Sequence, residues 1–514
     1  MIKYIFSLLV VCLISCQSTP TESYDILLKN ATIYDGTMQE TYQGSVAINA
    51  DTIAWIGTDI QGKNALNIID ATGYILAPGF IDTHTHALND LSDSIKKVNL
   101  NYLYQGVTTV VTGSDGNSVL LIGDKLAEWQ ENGIGTNAAI MTGHRTIRQR
   151  VMSMNDGEPT EEELENMKTL VRRGMEEGAL GFSSGLYYAP ANFATTEEVI
   201  ELAKVAAEYN GIYDAHIRDE STYNIGLINA IKESIEIAEK ANLPANISHI
   251  KALGVDVWGK SEEVIELIEA ARTRGLQITA DQYPYRASGT SLTQALVPKW
   301  VFADEVDFQK RFDDPALRER IIAGMKENLR IRGGAESLLL TAPTDKSLTG
   351  KNLAEIAKER QKDAIITAID IIQNGGSAVA SFNMQDTDIQ NFMKQPWVMT
   401  CSDGTNAHPR KYATFPKKIR EYVLEKKTLS LTEMIYKSTA LSAQIFQIPR
   451  RGTIKTGYFA DLILFKPEEV IDVANFQNPA AYSEGMKYVF VNGKIIIEDG
   501  KFNGILNGYP IKKG

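Results

Sequence analysis

A chain of 514 residues, 44% hydrophobic and 23% charged, has the makeup of a globular protein long enough for about two to four structural units. Its formal net charge of -12 argues against a nucleic-acid partner, because phosphate binding needs clustered Lys and Arg on a basic face. That acidity reads instead as a solvated surface.

The first residues do not look like part of a fold. Met1 and Lys3 lead into an apolar run at 4–14, too short to span a bilayer and suited to the apolar core of a secretory signal. The run ends in Leu13-Ile14-Ser15-Cys16, which resembles a lipobox, and residues 17–23 are rich in Ser, Thr and Pro, as in a flexible tether. The expectation is a lipoprotein signal at 1–15 and a tether at 16–23, with Cys16 as the lipid anchor to a bacterial envelope membrane. Cys12 would leave with the signal and Cys401 would stand alone, so no disulfide is available to the mature chain.

From residue 75 onward strand-like and helix-like segments alternate. Strands are expected at 75–84, 107–112, 137–142, 179–183, 212–217, 245–250, 276–281 and 397–402. Amphipathic helical runs lie between them at 161–177, 197–208, 224–241 and 261–274, with apolar residues at three- and four-residue steps. Eight strands alternating with helices predict an α/β fold, a (β/α)₈ barrel of the TIM type, over 73–449. The stretch from 288 to 395 is too long for a loop between the seventh and eighth strands and predicts an inserted lid or substrate-binding subdomain. Short β-type runs in 24–72 and 450–514, including the hairpin signal Asn492-Gly493, predict a small β-sandwich domain built from both chain ends.

Of the six histidines, five fall at or just beyond the predicted C-terminal ends of barrel strands, the face on which barrel enzymes keep their chemistry. His84 and His86 are two apart, so on an extended strand both imidazoles share a face and can reach one metal ion. His216 and His249 end the fifth and sixth strands, and Asp403 follows the eighth. The same alternation puts Arg218 two beyond His216, and Lys251 two beyond His249, at the barrel mouth. There each cation can pair with a substrate carboxylate or, turned outward, form a salt bridge within the chain. Tyr283 and Tyr285, following Asp281, are expected to bind substrate or to pack the rim.

Pro78-Gly79-Phe80-Ile81-Asp82-Thr83-His84-Thr85-His86 resembles the first-strand motif of the amidohydrolase superfamily. An ordered set of further matches resembles the D-aminoacylase, or N-acyl-D-amino-acid deacylase, family. It includes Gly143-His144-Arg145, Gly178-Ala179-Leu180-Gly181-Phe182-Ser183-Ser184-Gly185, His216-Ile217-Arg218-Asp219-Glu220, Asp281-Gln282-Tyr283-Pro284-Tyr285 and Ser402-Asp403-Gly404. The resemblance implies one or two Zn²⁺ ions on His84, His86, His216 and His249, with Asp403 as both ligand and catalytic base. Where the family commonly carries Asn-Cys-Gly, this chain has Ser114-Asp115-Gly116, so an oxygen replaces a thiolate. The predicted fourth strand lacks the lysine that bridges two metals in many amidohydrolases, which leaves Asp115 as the evident bridging candidate. His144 matches a family position near the site, and Arg410 is a further carboxylate candidate.

The implied reaction is hydrolysis of the amide of an N-acyl-D-amino acid or a D-residue peptide. A metal would acidify a water and polarise the carbonyl. Asp403 would carry the proton to the leaving nitrogen. Acyl-chain and side-chain preference is expected to reside in the insert. Another amidohydrolase activity, on cyclic amides or dipeptides, is the nearest alternative. A non-catalytic binding lipoprotein is the remote one.

Overall fold

The computed structural model describes residues 22–305 and 308–513. The apolar run, Cys16 and most of the expected tether lie outside the described residues. Within them, no helix is long and apolar enough to cross a membrane.

The barrel strands run, in order, Phe80–Asp82, Val107–Thr112, Asn137–Ile140 (continued by Thr142–Gly143), Gly181–Gly185, Ile212–His216, Ala245–Ile247, Ile278–Gln282 and Val398–Thr400. Neighbours pair in parallel around the ring. Closure comes from a parallel bridge between Thr85 and Gly404, and from the Asp403 amide, which donates to the His84 carbonyl at 3.0 Å. The first and last barrel strands therefore meet at the point where two of the candidate site residues sit.

The surrounding helices follow from local sequence. Leu227–Ala241 turns Leu227, Ala230, Ile231, Ser234, Ala238 and Ala241 onto the barrel at three- and four-residue intervals. Thr160 opens Glu161–Glu176 with a capping box, its hydroxyl accepting from the Glu163 amide while the Glu163 carboxylate reaches back.

One departure from the expected layout has a clear cause. The strand expected at 75–84 is broken at Gly79. Ile75–Pro78 pairs antiparallel with Leu462–Phe465 in the terminal sheet, and only Phe80–Asp82 enters the barrel. The Gly79 amide donates to the Asp461 carbonyl at 2.9 Å, and a Cβ there would lie 2.2 Å from the Thr108 hydroxyl, so the chain must change sheets at glycine. As expected, both chain ends build one small β domain; its strands are hydrogen-bonded into a nine-stranded sheet that branches at Glu22–Ile33, the partner of Tyr42–Asn49, Lys63–Asp70 and Ile75–Pro78.

Between the seventh and eighth barrel strands lies a subdomain with its own antiparallel sheet, Ala287–Ser291, Ser377–Phe382 and Leu338–Pro343. Its helices bury a separate core around Leu292, Val301, Ile321, Met325 and Ile369. The start of this subdomain, from Ser288 to Gln294, forms one wall of the cavity over the barrel mouth.

Candidate metal centre

The cavity at the C-terminal mouth of the barrel has a volume of about 300 Å³ and reaches the histidines at its floor. Asp115 is their hub. Its Oδ1 lies 3.4 Å from His84 Nε2, 3.3 Å from His216 Nδ1 and 3.5 Å from His249 Nε2, while its Oδ2 lies 3.5 Å from His86 Nε2. Asp403 stands on the other side, with Oδ1 at 3.1 Å from His86 Nε2 and 3.9 Å from His84 Nε2. Arg410 holds the far oxygen, its Nη1 2.8 Å from Asp403 Oδ2.

Left-handed backbone makes this convergence possible. Asp115, His249 and Asp403 have φ of 56°, 38° and 46°, each just past a strand end, so the chain turns inward over the mouth. The Asp115 loop also needs Gly185, where a Cβ would sit 2.3 Å from the Asp115 carbonyl oxygen.

The donor set fits a divalent metal. Both ring nitrogens of His84 and of His216, and Asp115 Oδ1, are buried without a hydrogen-bond partner. Buried polar atoms are ordinarily satisfied, so a convergent group of such atoms marks a ligand position. His84, His86 and Asp115 form one triad of donors within 4.8 Å of one another, and Asp115, His216 and His249 form a second. Asp115 belongs to both, as a bridging ligand would. Electrostatics agree: burial disfavours a charged His84, yet Asp115, Asp214 and Asp403 outweigh it and raise this imidazole to about 10, so the cluster attracts positive charge.

The structure gathers His84, His86, Asp115, His216, His249 and Asp403 at the floor and places Lys251, Tyr283 and Arg410 on the walls. Lys251 is not a free cation. Its Nζ donates to Glu220 Oε1 at 2.5 Å and lies 2.7 Å from His249 Nδ1. Three expected substrate contacts are corrected. Arg218 turns away, its guanidinium bound to Glu233 at 2.7 Å and to the Asn192 carbonyl at 3.0 Å. The fifth strand ends at His216, so the two-residue alternation that would have aimed Arg218 inward no longer holds. Tyr285 lies beyond the end of the seventh strand and packs edge-on against His408, at 5.4 Å, and Phe476, away from the cavity.

His144 is also outside the cavity. It is fully buried, with Nε2 2.8 Å from Glu198 Oε1, and Arg148 pairs with the other oxygen of the same carboxylate. Glu198→Ala leaves a buried guanidinium without its partner and is expected to cost about 3–5 kcal/mol of stability. Urea unfolding of the variant measures this, with KM staying at the wild-type value.

Other wall residues carried no obvious signal of their own. Glu220 sits four beyond His216 and reaches His249 Nδ1 at 3.2 Å. Tyr187 stacks on His216 with ring centroids 5.8 Å apart, and Arg145 and Arg332 close the sides. Asp214 was legible: it precedes His216 by two on the same strand and points inward, receiving hydrogen bonds from Asn246 and Ser248.

Residues 67–497 match a family model described as the amidohydrolase family. The chain is 31% identical to the D-aminoacylase of Alcaligenes xylosoxydans xylosoxydans, over 95% of this chain and 97% of that protein. A crystal structure of D-aminoacylase superposes with a TM-score of 0.82 at 31% identity, covering 95% of this chain and all (100%) of that one. The N-acyl-D-glutamate deacylase of Bordetella bronchiseptica, solved with zinc and a phosphonate mimic of the tetrahedral intermediate, gives 0.81 at 26% identity, covering 96% of this chain and 100% of that one.

Proposed function

This chain belongs to the amidohydrolase family, and within it we propose a metal-dependent deacylase that hydrolyses the amide bond of N-acyl-D-amino acids. The observation that carries the reading is the hub of Asp115 within 3.3–3.5 Å of four imidazoles, faced by an arginine-held Asp403. His84, His86, His216, His249, Asp115 and Asp403 would hold Zn²⁺. When bound, the ion supplies Lewis acidity that brings a water toward neutrality and polarises the scissile carbonyl.

Asp403 moves the proton. Burial opposes its charge, but Arg410, His249, His86 and His84 together hold the carboxyl below the usual range, so the base form is present at neutral pH. Oδ1 faces the cavity floor and accepts the proton of the attacking water, while Arg410 fixes Oδ2. The same oxygen then delivers that proton to the leaving nitrogen, because an amine is a poor leaving group as an anion.

Substrate carboxylate binding falls to Tyr283, Lys251 and Arg410. The Tyr283 hydroxyl is buried in the wall with no partner, and the Arg410 guanidinium lies 4.6 Å over its ring. A phenol donating to a carboxylate is worth about 10- to 100-fold in affinity. Tyr283→Phe is therefore expected to raise KM by that factor with little change in kcat, read by steady-state kinetics.

The reading is tested by metal analysis of the purified protein together with hydrolysis of matched N-acyl-D- and N-acyl-L-amino acids. Stoichiometric zinc with turnover confined to the D-series is expected. Zinc with turnover of cyclic amides or dipeptides instead would reassign the substrate.

For location, the reading is a lipoprotein of the bacterial envelope anchored through Cys16, supported by the apolar run at 4–14 and the lipobox-like Leu13-Ile14-Ser15-Cys16. Cys16→Ser is expected to abolish incorporation of labelled fatty acid. Continued labelling would remove the anchor.

A further inference from the structure

Two of the four cations lining the cavity, both assigned above to the substrate α-carboxylate, already have a carboxylate of the chain beside them. Arg410 pairs with Asp403 and Lys251 with Glu220. Arg145 is only half-buried and keeps contact with water. Arg332 differs from all three. It is 2% exposed, lines the cavity, and makes its hydrogen bonds to neutral oxygens: the Ala295 carbonyl at 3.0 Å, the Ser381 hydroxyl at 3.3 Å and the Tyr187 hydroxyl at 3.4 Å. The Tyr223 ring lies 5.5 Å from its guanidinium.

Aromatic faces stabilise a guanidinium only in part, and a buried charge is ordinarily paired with an opposite one. A second basic side chain lies beside the same phenol. Lys299 Nζ sits 4.0 Å over the Tyr187 ring and donates to the carbonyl and side-chain oxygens of Gln294. Burial, then repulsion from Arg332, depress its basicity well below that of an ordinary lysine. Both basic side chains thus flank one phenol whose ring stacks on His216. Arg332 belongs to the insert and reaches the same cavity as the metal-site residues, in contact with the Tyr187 hydroxyl.

We infer that Arg332 binds a second carboxylate on the substrate, so that this chain selects dianionic N-acyl-D-amino acids. This rests on the deacylase reading and adds the substrate class. The second carboxylate can be carried by the amino-acid side chain, as in N-acetyl-D-glutamate, or by the acyl group, as in N-succinyl-D-leucine. The chemistry at Arg332 is the same.

The test compares each dianion with its monoanionic isostere in the wild-type protein: N-acetyl-D-glutamate against N-acetyl-D-glutamine, and N-succinyl-D-leucine against N-succinamoyl-D-leucine. One pair is expected to favour the dianion by about 10- to 100-fold in kcat/KM, and which pair does so identifies where the second carboxylate sits. Arg332→Gln is expected to raise KM for that dianion and bring the ratio close to unity, with Arg332→Lys recovering part of it. Wild-type ratios near unity for both pairs, or a preference that survives Arg332→Gln, would overturn the inference while leaving the deacylase reading intact. The wild-type ratios decide even if the variant fails to fold. Absence of any hydrolysis in the D-series would instead bring down the deacylase reading, and this inference with it.

Discussion

Asp403→Asn is expected to lower kcat by about 10² to 10⁴-fold, the range that positioned general acid–base groups supply, with zinc content close to wild type. The substitution keeps the shape of the side chain and an oxygen able to accept from Arg410, whose Nη1 lies 2.8 Å from Oδ2. What disappears is basicity. Four cationic or imidazole neighbours hold the Asp403 carboxyl in its ionised form, and an amide has no corresponding form able to take a proton from water. His84, His86, His216, His249 and Asp115 remain as donors, so metal should stay. Metal analysis and turnover on the same preparation check both halves. A variant with full zinc and near wild-type kcat would remove Asp403 from its role as base.

The second large effect is expected at Asp115. Asp115→Ala takes away the one side chain common to both donor triads and leaves His84, His216 and His249 facing a gap. Losing even an outer-shell partner costs about 10- to 100-fold in metal affinity, and a shared ligand should cost at least the upper end of that range. Zinc should therefore fall below stoichiometry, with kcat/KM falling alongside it. Metal stabilises only the folded chain, so Tm should drop as well, as it should when wild type is treated with chelator. Asp115→Cys offers a softer ligand at the same position and should retain zinc. An Asp115→Ala protein that still binds zinc tightly would show that the four imidazoles suffice.

Legibility from sequence followed strand geometry. The barrel strands could be read because each is a short buried run between amphipathic helices, and the histidines because they punctuate strand ends. Past the strand ends alternation was an uneven guide: Lys251 and Tyr283 reach the cavity, whereas Arg218 and Tyr285 do not. Beyond a strand end the backbone sets direction, as the left-handed φ of Asp115, His249 and Asp403 illustrates. The split at Gly79 was hidden because 75–84 reads as one continuous strand-like run, and only the partner strand Leu462–Phe465 separates its first half from its second. Arg332 could not be placed at all: it follows the helix Pro315–Ile331 in the insert, and its contact with Tyr187 spans 145 residues.

The hydrogen bond from the Asp403 amide to the His84 carbonyl, which seals the barrel, also sets when activity can begin. His86 and Asp403 are 317 positions apart. A nascent chain that has emerged only as far as the sixth strand already owns all four imidazoles but has nothing to accept the proton. Hydrolysis can begin only after the eighth strand has been made and has docked beside the first. Interrupted synthesis, or loss of the segment carrying Asp403, would yield protein without its proton acceptor and chemically silent. Competence thus arrives in one step, near the end of assembly.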